Sequence, residues 1–157
     1  MGNIFSAAEV LQFAIKIEEN GEKFYSGVAN KIKDQKLADV FMVLAKEEVS
    51  HKEVYSKMLS EIESYEPQGS YPDEYFLYLK SYVENIIFNS QLGKELEKSS
   101  DLVSIINFAI QREEDSILYY IEMKNFVSPH QTKVIDKIID EERKHFIKLT
   151  NFKKEYL

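Results

Sequence analysis

The 157 residues contain no cysteine and no tryptophan, and only 3 prolines and 5 glycines. Without cysteine there can be no disulfide, thiolate metal site or iron–sulfur cluster, so a bound metal would have to use oxygen and nitrogen ligands. Scarce proline and glycine leave few places for a helix to break. No run of 18 apolar residues is present, which excludes an ordinary membrane-spanning helix. Basic residues are in the minority, 20 against 27 acidic, and are dispersed, so the net charge of -7 opposes binding to DNA or RNA. No charged-then-apolar leader opens the chain, and the cytoplasm is the expected location. The start "MGNIFS" fits a loose N-myristoylation pattern, but Ser6 with Glu9 also makes the Ser-x-x-Glu box that caps a helix.

A length of 157 residues suits one domain over 1–157, large enough to bury about two-thirds of its unfolded surface around a core. Apolar residues recur at intervals of three and four, the spacing of one helix face. The first stripe is Ala7, Leu11, Ala14, Glu18, Gly21, Tyr25 and Val28, on a helix from about Ser6 to Lys31. The second, after a turn near Asp34, is Leu37, Phe41, Leu44, Glu48, His51, Tyr55, Met58 and Ile62. "EPQGSYP" interrupts the pattern, and Pro72 can open a short extra helix with Phe76, Leu79, Val83, Ile86 and Ile87 on one side. After Ser100 and Asp101 comes Leu102, Ile106, Ala109, Glu113, Ser116, Tyr120, Met123 and Val127, ended by "SPH". The last stripe is Ile135, Ile138, Glu142, His145, Leu149, Phe152 and Tyr156.

Each stripe carries a glutamate in mid-helix, and the second and fourth add histidine three residues later. The two halves repeat. "FAIKIEENGEKFY" from Phe13 matches "FAIQREEDSILYY" from Phe108 at six of thirteen positions, offset by 95, which pairs Glu18 with Glu113. At an offset of 94, "EEVSH" falls on "EERKH", pairing Glu48 with Glu142 and His51 with His145. The chain therefore reads as two helical hairpins on one plan, about 6–64 and 100–156, joined by an insert at 65–99. The expected fold is all-α, an antiparallel four-helix bundle with a long connection between the second and third bundle helices.

Ionised carboxylates in an apolar stripe cost several kcal/mol, roughly, unless paired, protonated or bound to metal. Two divalent ions bring +4 against the four carboxylates, and Glu-x-x-His directs both groups at one ion. Carboxylate oxygen with imidazole nitrogen suits iron, manganese or a mixed pair. Glu19, Glu47, Glu114 and Glu141 lie about 100° round their helices from the stripe glutamates, and are expected at the surface or behind the ligands. Tyr25 and Tyr120, seven residues past Glu18 and Glu113, can either hydrogen-bond ligand carboxylates or serve as plain core tyrosines. His130 stands outside the repeat and is expected to be exposed.

"IEENGEKFY", "LAKEEVSH", "IQREEDSILYY" and "IIDEERKH" resemble, in order, the four ligand segments of the ferritin-like di-iron carboxylate superfamily. They are most similar to the rubrerythrin-type branch that lacks a rubredoxin domain. The resemblance implies two iron ions, Glu18 and Glu113 as single ligands, and Glu48 with His51 and Glu142 with His145 as paired ones. It further implies that Glu48 and Glu142 bridge the metals. Ser116 stands where rubrerythrins carry an additional glutamate, and the absent cysteine-bound iron domain means that a separate electron donor is required. Only twelve residues follow His145, too few for the fifth helix of cage ferritins, so a homodimer is expected. The function implied is an oxidoreductase reducing peroxide or dioxygen. Ferroxidase or iron-handling activity and a non-catalytic, metal-stabilised bundle are the other two readings.

Overall fold

A computed structural model describes residues 7–61, 73–87, 95 and 101–156. The capping serine Ser6, the break at 66–72, Ile62 and Ser100 lie outside the described residues, as do the side chains of Phe76, Val83, Ile86, Ile87 and Tyr156. Helix α1 spans Ala7–Lys31, α2 Gln35–Glu61, α3 Asp73–Ile87, α4 Leu102–Met123 and α5 Pro129–Tyr156. No strand occurs among the described residues.

Short polar side chains start these helices by accepting the amides that the first turn leaves free. The Leu37 amide donates to Asp34 Oδ1 at 3.0 Å, opening α2, and the Val103 amide donates to Asp101 Oδ1 at 3.2 Å, opening α4. The Gln131 amide donates to Ser128 Oγ at 3.3 Å, opening α5 with Pro129 at its first position, where the missing N–H costs nothing. One boundary differs from expectation. The stripe of the third bundle helix predicts a helix reaching Val127, but α4 ends at Met123. A 3-10 turn over Lys124–Phe126 then leads to Val127 in an extended conformation. The tighter turn reverses the chain toward Pro129 and still buries Phe126 and Val127.

Helices α1 and α2 form one tightly packed pair and α4 and α5 another, with α1 facing α4 and α2 facing α5. Helix α3 lies across α1 and α4. The buried apolar residues fall into two clusters. One gathers Leu11, Ala14, Ile17, Tyr55, Tyr119, Tyr120, Met123 and Ile138, and is the cluster that α3 joins through Leu79. The other gathers Phe24, Tyr25, Phe41, Leu44, Ile106, Ala109 and Leu149. Each large side chain so buried stabilises the bundle by about 1.5–3 kcal/mol. Between the two clusters runs a layer of polar groups.

Candidate metal centre

That layer consists of Glu18 from α1, Glu48 and His51 from α2, Glu113 from α4, and Glu142 and His145 from α5, none more than 3% exposed. The apolar neighbours three and four positions away on each helix carry these groups inward. Ligand-type atoms of Glu18, Glu48, His51 and Glu142 lie within 4.8 Å of one another, as do those of Glu48, Glu113, Glu142 and His145. Glu48 and Glu142 belong to both groups.

Each imidazole turns Nδ1 inward. His51 Nδ1 lies 3.0 Å from Glu142 Oε1 and 3.6 Å from Glu18 Oε2. His145 Nδ1 lies 3.1 Å from Glu142 Oε2 and 3.6 Å from both Glu48 Oε1 and Glu113 Oε2. The outer nitrogens face acids from the opposite hairpin: His51 Nε2 is 2.5 Å from Glu141 Oε2, and His145 Nε2 is 2.6 Å from Glu47 Oε2. The tyrosines cross over in the same manner. Tyr25 on α1 donates its hydroxyl to Glu113 on α4, and Tyr120 on α4 donates to Glu18 on α1. Since each tyrosine follows its own helix's glutamate yet meets the other's, α1 and α4 run antiparallel, and the histidines show the same for α2 and α5.

The residues fit a metal pair. Glu18 Oε2, Glu142 Oε2 and His145 Nδ1 are sealed from solvent and lack a well-aligned hydrogen bond, although His145 Nδ1 and Glu142 Oε2 stand 3.1 Å apart. Each such group costs about 1–3 kcal/mol, more if charged. Cations between the carboxylates would give all three a partner, and the set of four carboxylates and two imidazoles matches iron or manganese.

Without metal, protons substitute. Burial, with the negative charge of Glu48 and Glu142 added, raises the Glu18 carboxyl well above the usual range. Burial and the charge of Glu142 push Glu113 up to about 8. Burial also opposes ionisation of Glu142, but hydrogen bonds from Glu113, His145 and His51 outweigh it and hold this carboxyl down at about 2. For His51, burial disfavours the cation, yet its bonds to Glu142 and Glu18 raise it to about 12, and His145 is raised in the same way by Glu113, Glu142 and Glu48.

A profile of the rubrerythrin family matches residues 9–155. The chain belongs to the rubrerythrin family. A solved protein of Thermotoga maritima, described as a candidate ferritin-like diiron-carboxylate protein, superimposes with a TM-score of 0.72 at 26% identity, with both chains covered in full. No curated protein matches significantly. For a rubrerythrin, the position of Ser116 is informative: its hydroxyl turns back onto the Arg112 carbonyl at 2.8 Å, along its own helix.

Three further residues border this rubrerythrin centre: Arg112, which lies off the stripes, and Gly21 and Tyr55, which lie on them. Arg112 is half-buried; its Nη2 donates to the Ile17 carbonyl at 3.0 Å and its guanidinium stands 5.9 Å from the centre of the Tyr25 ring. Burial works against this cation, and Tyr25 with the carboxylates of Glu48, Glu113 and Glu18 holds its charge on. Gly21 makes room for it, because a Cβ there would sit 2.9 Å from Arg112 Nη1 and 3.2 Å from Glu48 Cδ. Tyr55 is wholly buried and its hydroxyl has no hydrogen-bond partner. The repeat carries a signal for two of them, since Arg112 aligns with Ile17 and Tyr55 with Leu149. A polar residue opposite an apolar repeat partner marks where the two halves have diverged.

The outer acids also sort by structure. Glu19 pairs with Lys52 at 3.1 Å and with Lys16 at 3.7 Å, and Glu114 and His130 are exposed, whereas Glu47 and Glu141 reach the histidines.

Proposed function

We infer that this rubrerythrin-family chain is a di-iron oxidoreductase that reduces peroxide or dioxygen with electrons from a separate donor. The observation that supports it is the pair of buried ligand groups sharing Glu48 and Glu142, with sealed atoms that lack a well-aligned hydrogen bond. In this reading Glu18 and Glu113 are single ligands, Glu48 with His51 and Glu142 with His145 are paired ligands, and Glu48 and Glu142 serve both ions. Bound iron would supply the redox chemistry with peroxide or dioxygen.

The chain's own part is positional. Glu141, hydrogen-bonded to the outer nitrogen of His51, and Glu47, 2.6 Å from that of His145, back the two imidazoles, so that each Nδ1 presents a lone pair inward. Tyr25 and Tyr120 hold one oxygen of Glu113 and Glu18, leaving the other free to bind. The two apolar clusters keep bulk water from the layer, where charge interactions are stronger than at the surface. With no cysteine available for a built-in iron–sulfur relay, the reductant comes from outside.

The test is anaerobic loading with ferrous iron followed by hydrogen peroxide in a stopped-flow spectrometer. Ferric absorbance should appear faster than in Glu48→Ala, and equal rates would overturn the reading. Oxidation and retention of ferrous iron well beyond two per chain would favour iron handling instead. Repeated peroxide removal with an added reductant and no retention would favour the enzyme.

A further inference from the structure

The two halves of the repeat share the Tyr25–Tyr120 pair but differ in the other phenols beside the centre. Tyr119 aligns with Phe24, and Tyr55 with Leu149, so one side of the centre is rich in tyrosine while the other is packed by Phe24, Phe41 and Phe108. The tyrosine side is the one that α3 covers. There the rings form a continuous series from the centre to solvent. Tyr120, whose hydroxyl is bonded to Glu18, has its ring centre 6.1 Å from that of Tyr119. Tyr119 stacks on Tyr82 at 6.4 Å with the rings 10° from parallel, and Tyr82 stacks on Tyr78 at 6.0 Å. Tyr119 is 2% exposed, Tyr82 is half-buried and Tyr78 is 52% exposed. Every step lies within the contact range of paired aromatic rings, about 4.5–7 Å.

Phenols are among the few side chains that give up one electron to a strong oxidant, whereas a phenylalanine ring does not. Each inner phenol also has an acceptor for its proton: Glu18 for Tyr120, the Val10 carbonyl for Tyr119 at 2.9 Å, and the Asp115 carbonyl for Tyr82. Four phenols are in contact, the inner three with bonded hydroxyls, and the series ends at an exposed ring; at Tyr119 packing alone does not require the phenol, because the repeat-related position is filled by Phe24.

We propose that Tyr120, Tyr119, Tyr82 and Tyr78 carry single oxidising equivalents from the buried centre to the surface of α3, where an external one-electron donor quenches them. The proposal rests on the redox reading above, with dioxygen as oxidant. Reduction of dioxygen to two waters takes four electrons and four protons. A ferrous pair supplies two electrons, and the other two leave the phenols singly. At each inner ring the phenolic proton stays within its hydrogen bond, drawn toward the acceptor as the electron leaves and back when the next ring refills the vacancy. At Tyr78 the proton goes to water, and the donor replaces the electron. The protons that form water are drawn from solvent.

The test mixes anaerobic, ferrous-loaded protein with oxygenated buffer containing a nitroso spin trap, and locates the adduct by peptide mass spectrometry. The native chain should be labelled at Tyr78. Tyr82→Phe and Tyr119→Phe should lose the Tyr78 adduct, while ferric absorbance still forms at the native rate and circular dichroism confirms the helices. Zinc-loaded protein should show no adduct. Labelling of Tyr78 that survives both substitutions, or that appears with zinc, would overturn the path. Rapid ferrous oxidation without a Tyr78 adduct in the native chain would overturn the path alone and leave the redox reading standing. Ferrous oxidation no faster than in Glu48→Ala would remove both.

Discussion

Glu141 reaches from α5 to the outer nitrogen of His51 on α2, Oε2 to Nε2, at 2.5 Å. The relation repeats in reverse between Glu47 on α2 and His145 on α5, at 2.6 Å. Both acids are about half exposed, 53% and 46%, so their substitution leaves little buried vacancy. An acid behind a ligating imidazole sets its tautomer and orientation, and loss of such a partner typically weakens metal binding by about 10–100-fold. Glu141→Ala and Glu47→Ala should each do so, read by competition with a chelating dye, while the melting temperature of the metal-free protein changes little. Unchanged affinity in both variants would show that these contacts do not orient the ligands.

The crossed tyrosines carry a different expectation. Tyr25 and Tyr120 each satisfy one oxygen of a fully buried carboxyl. Phenylalanine at either position keeps the ring packing but leaves that oxygen without a donor, at a cost of about 1–3 kcal/mol. Tyr25→Phe and Tyr120→Phe should lower the urea midpoint of the metal-free protein with little change in slope. Removing the partnerless hydroxyl by Tyr55→Phe should cost far less or even stabilise it, since no bond is lost.

Much of the centre is legible in the sequence because its six groups share the stripes of four helices. A glutamate at a 3,4 position is conspicuous among leucines and isoleucines, and the repeat fixes which glutamates correspond. The bundle order follows from the same stripes and from the few breaks. What reaches across helices is not legible in this way. Glu47 and Glu141 sit about 100° round from their neighbours Glu48 and Glu142, and helical spacing alone leaves open whether they lie at the surface or behind the ligands. Only the pairing of α2 with α5 brings each to the opposite histidine. The end of α4 depends likewise on tertiary packing, because Phe126 and Val127 stay buried by turning rather than by continuing the helix.

The pH response of the metal-free protein should run opposite to its response with metal. His51 is raised to about 12 and Glu113 to about 8, so the stability each gives is complete below its unfolded value, about 6.5 and 4.5, and is lost as pH climbs through the folded one. Glu142, held at about 2, acts in the other direction, but only as pH falls below about 4.5. Between pH 5 and 9 the metal-free melting temperature should therefore fall. Metal displaces these protons, so the stabilisation by added manganese should grow over the same range. Two imidazolium groups and two carboxylic acids make about four protons released per chain on loading at pH 6.5. An indicator dye in weak buffer counts them, and release of fewer than about one would contradict the protonated layer.

Gly21 and Arg112 make the sharpest packing test. Alanine is favoured over glycine within a helix by about 1 kcal/mol, so Gly21→Ala would stabilise α1 if nothing opposed it. Here its Cβ would meet Arg112 Nη1 at 2.9 Å, Nη2 at 3.1 Å and Glu48 Cδ at 3.2 Å. The guanidinium cannot yield freely, because Nη2 is bonded to the Ile17 carbonyl at 3.0 Å. Losing a hydrogen bond from a charged group costs about 1.5–3 kcal/mol, and overpacking a further 1–3. The balance is a net loss of about 1.5–5 kcal/mol, a fall in melting temperature of at least several degrees for a chain of this size. In an Arg112→Ala background most of that penalty should vanish and the helix preference for alanine should emerge, so the double-mutant cycle should show a coupling above about 1 kcal/mol. Additive effects would mean that the cation does not occupy the space that the glycine leaves.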